Sequence, residues 1–197
     1  MSRKQLLLSS MCITIVTASV SADVLEWNFP IDEQQIKNGP EPDGSTNSPG
    51  TGTGTITYDS ATNVISYDLQ WDGLVGDLTK LHVHGPATEN MSNPQHVIEI
   101  FGPPAVPNEL VATSGSVVGS QELTTLIQPG FDPLEPSEIL DIMTSGQAYL
   151  NVHTTVFGTG EIRGNLGVPL PEPSAATLMG FGVIAFGVLR RRGRQSR

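Results

Sequence analysis

Residues 146–166 read GQAYLNVHTTVFGTGEIRGNL, and their alternation decides the fold. Tyr149, Asn151 and His153 share one parity, while Leu150 and Val152 share the other. Glu161, Arg163 and Asn165 alternate in the same way with Ile162 and Gly164. Successive side chains of a strand point to opposite faces, so each segment has one apolar and one polar side. Ala148–His153 and Gly160–Leu166 are therefore expected to form a hairpin around Thr154–Thr159.

The same pattern recurs outward from this hairpin. Leu78–His84 sets Leu81 and Val83 against His82 and His84, and His96–Phe101 carries Val97, Ile98 and Ile100. Thr55–Asp59 and Asn63–Trp71 flank Ser60-Ala61-Thr62 as a second hairpin, and Val24–Phe29 reads as a first strand. Pro136–Thr144 (PSEILDIMT) predicts a short helix with Ile139, Leu140 and Met143 on one face. Val117–Leu126 fits a strand or a helix. Residues 38–54 read as a polar glycine-proline loop without core residues, and 102–108 as another loop. Gly50, Gly52 and Gly54 mimic half of a dinucleotide fingerprint, but a strand follows them where that motif needs a helix. The fold class expected is all-β with one short helix: an antiparallel β-sandwich or barrel.

Composition agrees. Among 197 residues, 21 glycines and 15 prolines make the chain turn-rich and argue against a helical bundle. Between Asp23 and Arg163 only Lys37, Lys80 and Arg163 itself oppose nineteen acids, a net charge of −16. Such a surface repels phosphates, so nucleic acid is excluded as a partner.

Both ends read as addresses. Arg3 and Lys4, the apolar stretch Leu6–Val20 and the small residues Val20-Ser21-Ala22 predict a signal peptide over 1–22, with the mature chain starting at Asp23. The only cysteine, Cys12, lies in this segment, so the mature domain, placed at 23–168, can use neither disulfides nor thiolate ligands. Near the other end, Pro171-Glu172-Pro173 precedes the uncharged stretch Ser174–Leu189, and RRRGRQSR follows. As a helix this stretch spans about 24 Å, short of a hydrocarbon core of roughly 30 Å unless the flanking arginines snorkel. The basic tail should stay cytoplasmic and leave the domain outside.

Residues 169–197 resemble a PEP-CTERM sorting signal: a Pro-Glu-Pro motif, a hydrophobic sorting helix over 174–189 and a basic cluster, in that order. The resemblance implies an exosortase-type processing protease as partner and transient anchoring in the inner membrane. It implies a destination in the cell envelope or extracellular matrix, beside exopolysaccharide or other envelope components. A permanent single-span anchor is the alternative.

Three further blocks carry a second resemblance. Leu81–Ala87 (LHVHGPA), Gly146–Thr154 (GQAYLNVHT) and Gly160–Leu166 (GEIRGNL) are similar to the signature blocks of the chordin-type (CHRD) domain, in the same order. Gly54–Tyr58 fits its start, so the resemblance covers about 52–167. It implies a β-rich extracellular module whose biochemistry the family name does not specify.

The chemistry lies on the polar parity. If the three blocks neighbour one another, His82, His84, Asn151, His153, Glu161 and Arg163 form one patch. Three readings are open: a zinc or copper site on His82, His84 and His153; a structural hydrogen-bond network in which Glu161 and Arg163 neighbour each other beside Asn151; or a solvated sheet face. His96 is expected off this patch, at the surface. Gly115-Ser116-Val117-Val118-Gly119 lacks the spacing of a nucleophile elbow, so no catalytic residue is assigned. The function expected is a non-enzymatic envelope or matrix module; the alternative is a metal-dependent redox-type protein built on the three histidines.

Overall fold

Trp27, Phe29 and Ile31 alternate with Glu26, Asn28 and Pro30 along the first strand, and the large apolar set is buried. The computed structural model describes residues 24–101 and 111–171. The signal peptide over 1–22, the loop 102–108, Glu172 and Pro173 of the Pro-Glu-Pro motif, and the sorting helix over 174–189 lie outside the described residues. Among the described residues no helix is long and apolar enough to cross a membrane.

The chain runs through β1 (Val24–Asp32), a 3-10 turn (Glu33–Gln35), β2 (Thr51–Asp59), β3 (Val64–Asp72), β4 (Leu78–His84), β5 (His96–Phe101), β6 (Gly115–Glu122), α1 (Pro136–Thr144), β7 (Tyr149–Thr154), β8 (Ile162–Asn165) and β9 (Leu170–Pro171). All pairings between these strands are antiparallel. The expected antiparallel β domain with one short helix is present, and its two halves, β5-β4-β7-β8 and β1-β2-β3-β6, are joined by the single pair Asp32↔Arg163. The order is β5-β4-β7-β8-β1-β2-β3-β6, with β9 on β1, and the sheet curls into a half-barrel. Right-handed strand twist supplies the curl.

The concave face holds the core. Trp27 and Ile31 meet Ile56, Leu69 and Trp71 from one half and Leu81, Val83, Leu150, Val152 and Ile162 from the other. Each such side chain contributes on the order of 1.5–3 kcal/mol by leaving water. The helix α1 adds Ile139 and Met143 to this core, and Glu138 closes its N-terminus by accepting the Glu135 amide at 2.9 Å. The ambiguous stretch 117–126 is strand as far as Glu122, because β6 pairs with β3 from Val64↔Glu122 to Trp71↔Gly115.

The second face differs between the two halves. On β2, β3 and β6, Thr53, Asp68, Gln70 and Val118 are exposed. On β4, β7 and β8 the register aligns His82 with Asn151 and Arg163, and His84 with Tyr149 and Asn165. This polar half is roofed by the loop between β4 and β5. Arg163 donates to the carbonyls of Met91 (2.7 Å) and Thr88 (3.2 Å) and lies 3.6 Å over the Tyr149 ring. The Tyr149 hydroxyl donates to the Asn93 carbonyl at 2.9 Å and accepts the Asn93 amide at 3.0 Å. The result is a covered floor of polar side chains in an otherwise open sheet.

Candidate metal centre

His82, His84 and His153 converge on that floor. They are 2%, 4% and 6% exposed, and one ring nitrogen from each can be chosen so that all lie within 4.8 Å of one another. His84 Nε2 and His153 Nε2 are 3.4 Å apart. Two ligands of a tetrahedral ion with metal–nitrogen bonds of about 2.0–2.1 Å stand about 3.3 Å apart, so this pair already has ligand spacing. His153 Nδ1 donates to the Gly158 carbonyl at 3.0 Å. That bond fixes the tautomer in which Nε2 presents a lone pair to the cluster. A cavity of about 500 Å³ opens over the rings, with Lys80 and Asn38 at its wall.

Burial sets the protonation. Desolvation first, with the neighbouring histidines adding to it, holds His84 down at about 3, and desolvation likewise holds His153 at about 4. His82 is lowered too, again by burial first. All three rings are neutral at pH 7, the state a metal ligand requires. Neutral imidazole buried without partners is costly. Both nitrogens of His82 and Nδ1 of His84 have no hydrogen-bond partner among the described residues. A structural network would satisfy these atoms; an ion would use them.

His96 departs from its expected place. Its ring stacks on His82 at 4.0 Å and meets His84 edge-on at 4.8 Å. All four histidines of the chain thus gather in one cluster. Glu99, which the sequence reading missed, joins them: its carboxylate oxygens lie 3.3 Å from His82 Nε2 and 2.6 Å from His96 Nδ1. Burial acts to raise the Glu99 carboxyl, but the two imidazoles outweigh it and hold it well below the usual carboxylate range. Irregular pairing between β4 and β5 brings this about. The register slips between Leu81 and His82 and again between Val83 and His84, so His84 opposes His96 while His82 opposes Glu99. Residues three apart then share a face that regular alternation would divide between them.

Glu161 leaves the expected patch. Its amide donates to the Val152 carbonyl, although Val152 is already the cross-strand partner of Ile162. This doubling and Gly160, at φ +121°, turn the Glu161 side chain away from Arg163. The carboxylate instead accepts from Ser48 (2.6 Å), Thr154 (2.7 Å), and the amides of Val75 (2.5 Å) and Gly76 (3.2 Å). Its carbonyl accepts from Thr46 at 2.7 Å. The loop 38–54, expected to hold no core content, therefore buries Thr46 and Ser48, and β2 starts at Thr51 rather than Thr55. Arg163 and Asn151 remain on the histidine face, where Asn151 donates to the Thr159 carbonyl at 3.0 Å.

Residues 33–166 match the CHRD domain family. The chain belongs to that family. No curated protein and no solved structure matches it. The CHRD match begins before residue 52 and takes in the four histidines, Glu99, Glu161 and Arg163. Within this CHRD domain, three nitrogen ligands on two neighbouring strands suit zinc or copper, and leave a further coordination position towards the cavity.

Proposed function

We propose that this CHRD protein is an exported, non-enzymatic module that holds a zinc or copper ion on His82, His84 and His153. The observation that carries the reading is the 3.4 Å spacing of two buried, neutral imidazole nitrogens. The CHRD family is generally non-enzymatic, in keeping with a binding role. Export is supported by the Arg3-Lys4 and Leu6–Val20 pattern and by a domain without cysteine; envelope sorting is supported by Pro171-Glu172-Pro173, the apolar stretch 174–189 and the basic tail. In this reading an exosortase-type protease removes the tail after transient anchoring in the inner membrane, and the domain is left among exopolysaccharide and other envelope components.

Protein purified without a histidine tag and dialysed should retain about one zinc or copper ion per chain by elemental mass spectrometry. His84→Ala and His153→Ala should retain none while keeping the β-sheet circular dichroism spectrum. A parent protein that retains no ion after loading overturns the metal reading. Peptides spanning Ala22-Asp23, or an intact chain ending at Arg197, recovered from the native envelope would overturn the corresponding half of the export reading.

A redox role is the second reading, favoured by the coordination position that faces the cavity. A copper-loaded sample that cycles between the two copper states under ascorbate and air supports it; one that stays in a single state excludes it.

A further inference from the structure

We propose that His82, His96 and Glu99 form a second cation position beside the first, with the His82 imidazole shared between the two ions. The inference rests on the reading of His82, His84 and His153 as the first position.

The state of His82 carries the argument. A histidine that binds one ion normally gives its other nitrogen to a carbonyl or carboxylate. His153 does so with Gly158. His82 is 2% exposed, and neither of its nitrogens makes a hydrogen bond. Its Nε2 lies 3.3 Å from Glu99 Oε1, outside hydrogen-bond geometry, while Glu99 Oε2 reaches His96 Nδ1 at 2.6 Å. One ligand atom from each of His82, His96 and Glu99 falls within 4.8 Å of the others, the same limit that holds for His82, His84 and His153. Two ligand sets therefore meet at one imidazole that has two free nitrogens.

Charge and exposure fit two positions of different character. The first set offers only neutral nitrogen. The second brings a carboxylate, which offsets part of the repulsion between two neighbouring cations. When the second ion binds, the remaining N–H proton of the His82 ring passes to solvent and the ring bridges as imidazolate; no electron moves. Side-chain exposure is 3% at His82, 19% at His96 and 38% at Glu99. The second ion thus sits at the open edge strand β5 and exchanges readily, while the first is retained through dialysis. The mixed imidazole and carboxylate set takes zinc or another divalent cation of its kind.

The test is a zinc titration of the full-length, tag-free protein, read by equilibrium dialysis in excess zinc. The wild type should hold two ions per chain. Glu99→Gln, which keeps the side-chain shape, and His96→Ala should each hold one ion, bound as tightly as the wild-type retained ion. Copper(II) loading should give two spins coupled through the shared ring, seen as lost paramagnetic resonance intensity at two ions per chain. One ion in the wild type, with Glu99→Gln only loosening it, would make Glu99 an orienting partner and overturn the second position. Two ions without spin coupling would overturn the shared ring. No ion at all would remove the first position as well, and with it the metal reading above.

Discussion

Two buried polar clusters adjoin the β7–β8 hairpin, one around Glu161 and one where β4 pairs with β7, and they are satisfied in opposite ways. Glu161 is fully buried, and its two carboxylate oxygens accept four hydrogen bonds from Ser48, Val75, Gly76 and Thr154. His82 and His84 are almost as buried, and three of their four ring nitrogens have no hydrogen-bond partner. A saturated buried group is a structural tie: it holds the loop 38–50 and the turn after β3 to the end of β7. A buried group with unused nitrogens lowers the stability of the fold unless a ligand takes them. Burial alone does not separate structure from function; the state of the partners does.

The largest expected effect is at the saturated cluster. Glu161→Ala strands at least the Val75 and Gly76 amides, at about 1–3 kcal/mol for each buried donor, and should lower stability by about 3–5 kcal/mol in urea unfolding. A loss below about 1 kcal/mol would break the contrast. Next comes the ligand. At free zinc about a hundred times the dissociation constant of the retained ion, wild type should gain about 2.7 kcal/mol from that position, a contribution that His84→Ala and His153→Ala lose. Equal gains in all three would place the ion elsewhere.

A third effect follows from protonation in the metal-free protein. Burial holds folded His84 at about 3 and His153 at about 4, against 6.5 for a free imidazole. Between about pH 6.5 and 4 the unfolded chain binds protons that the folded chain refuses. Stability should therefore fall as pH drops through that window, and the fall should be shallower in the His84→Ala, His153→Ala double variant. A urea midpoint that is flat over this range in wild type would show that the rings are not held neutral. The smallest effect is expected on the open half of the sheet: Thr53→Ala, on an exposed position of β2, should change stability by no more than about 0.5 kcal/mol.

Much of this arrangement can be read from alternation. The parity of His82 and His84 on one strand and of Asn151 and His153 on another carries straight into the register, which places β4 beside β7 and β7 beside β8. The helix PSEILDIMT was equally legible, through its apolar spacing and its initial proline. Parity failed where strand pairing is irregular. His96 and Glu99 are three residues apart, so regular alternation sends them to opposite faces; two register slips against β4 put both beside His82 and His84. Glu161 looked like a partner for Arg163 until the doubled contact at Val152 turned it inward. Such slips depend on the neighbouring strand, and a single strand's sequence does not encode them. The role of Thr46 and Ser48 was hidden for a related reason: they lie in a loop that has no periodicity of its own, and their partner Glu161 is 113–115 residues away.

The central claim is that His82, His84 and His153 hold an ion, and X-ray absorption at the metal edge tests it most directly. Dialysed protein loaded with zinc or copper should show imidazole nitrogens at about 2.0–2.1 Å, three of them from the chain, with the outer-shell scattering of histidine rings. The same sample of His153→Ala should lose the bound metal. A spectrum of oxygen ligands alone, or an ion that His153→Ala retains with unchanged scattering, would contradict it.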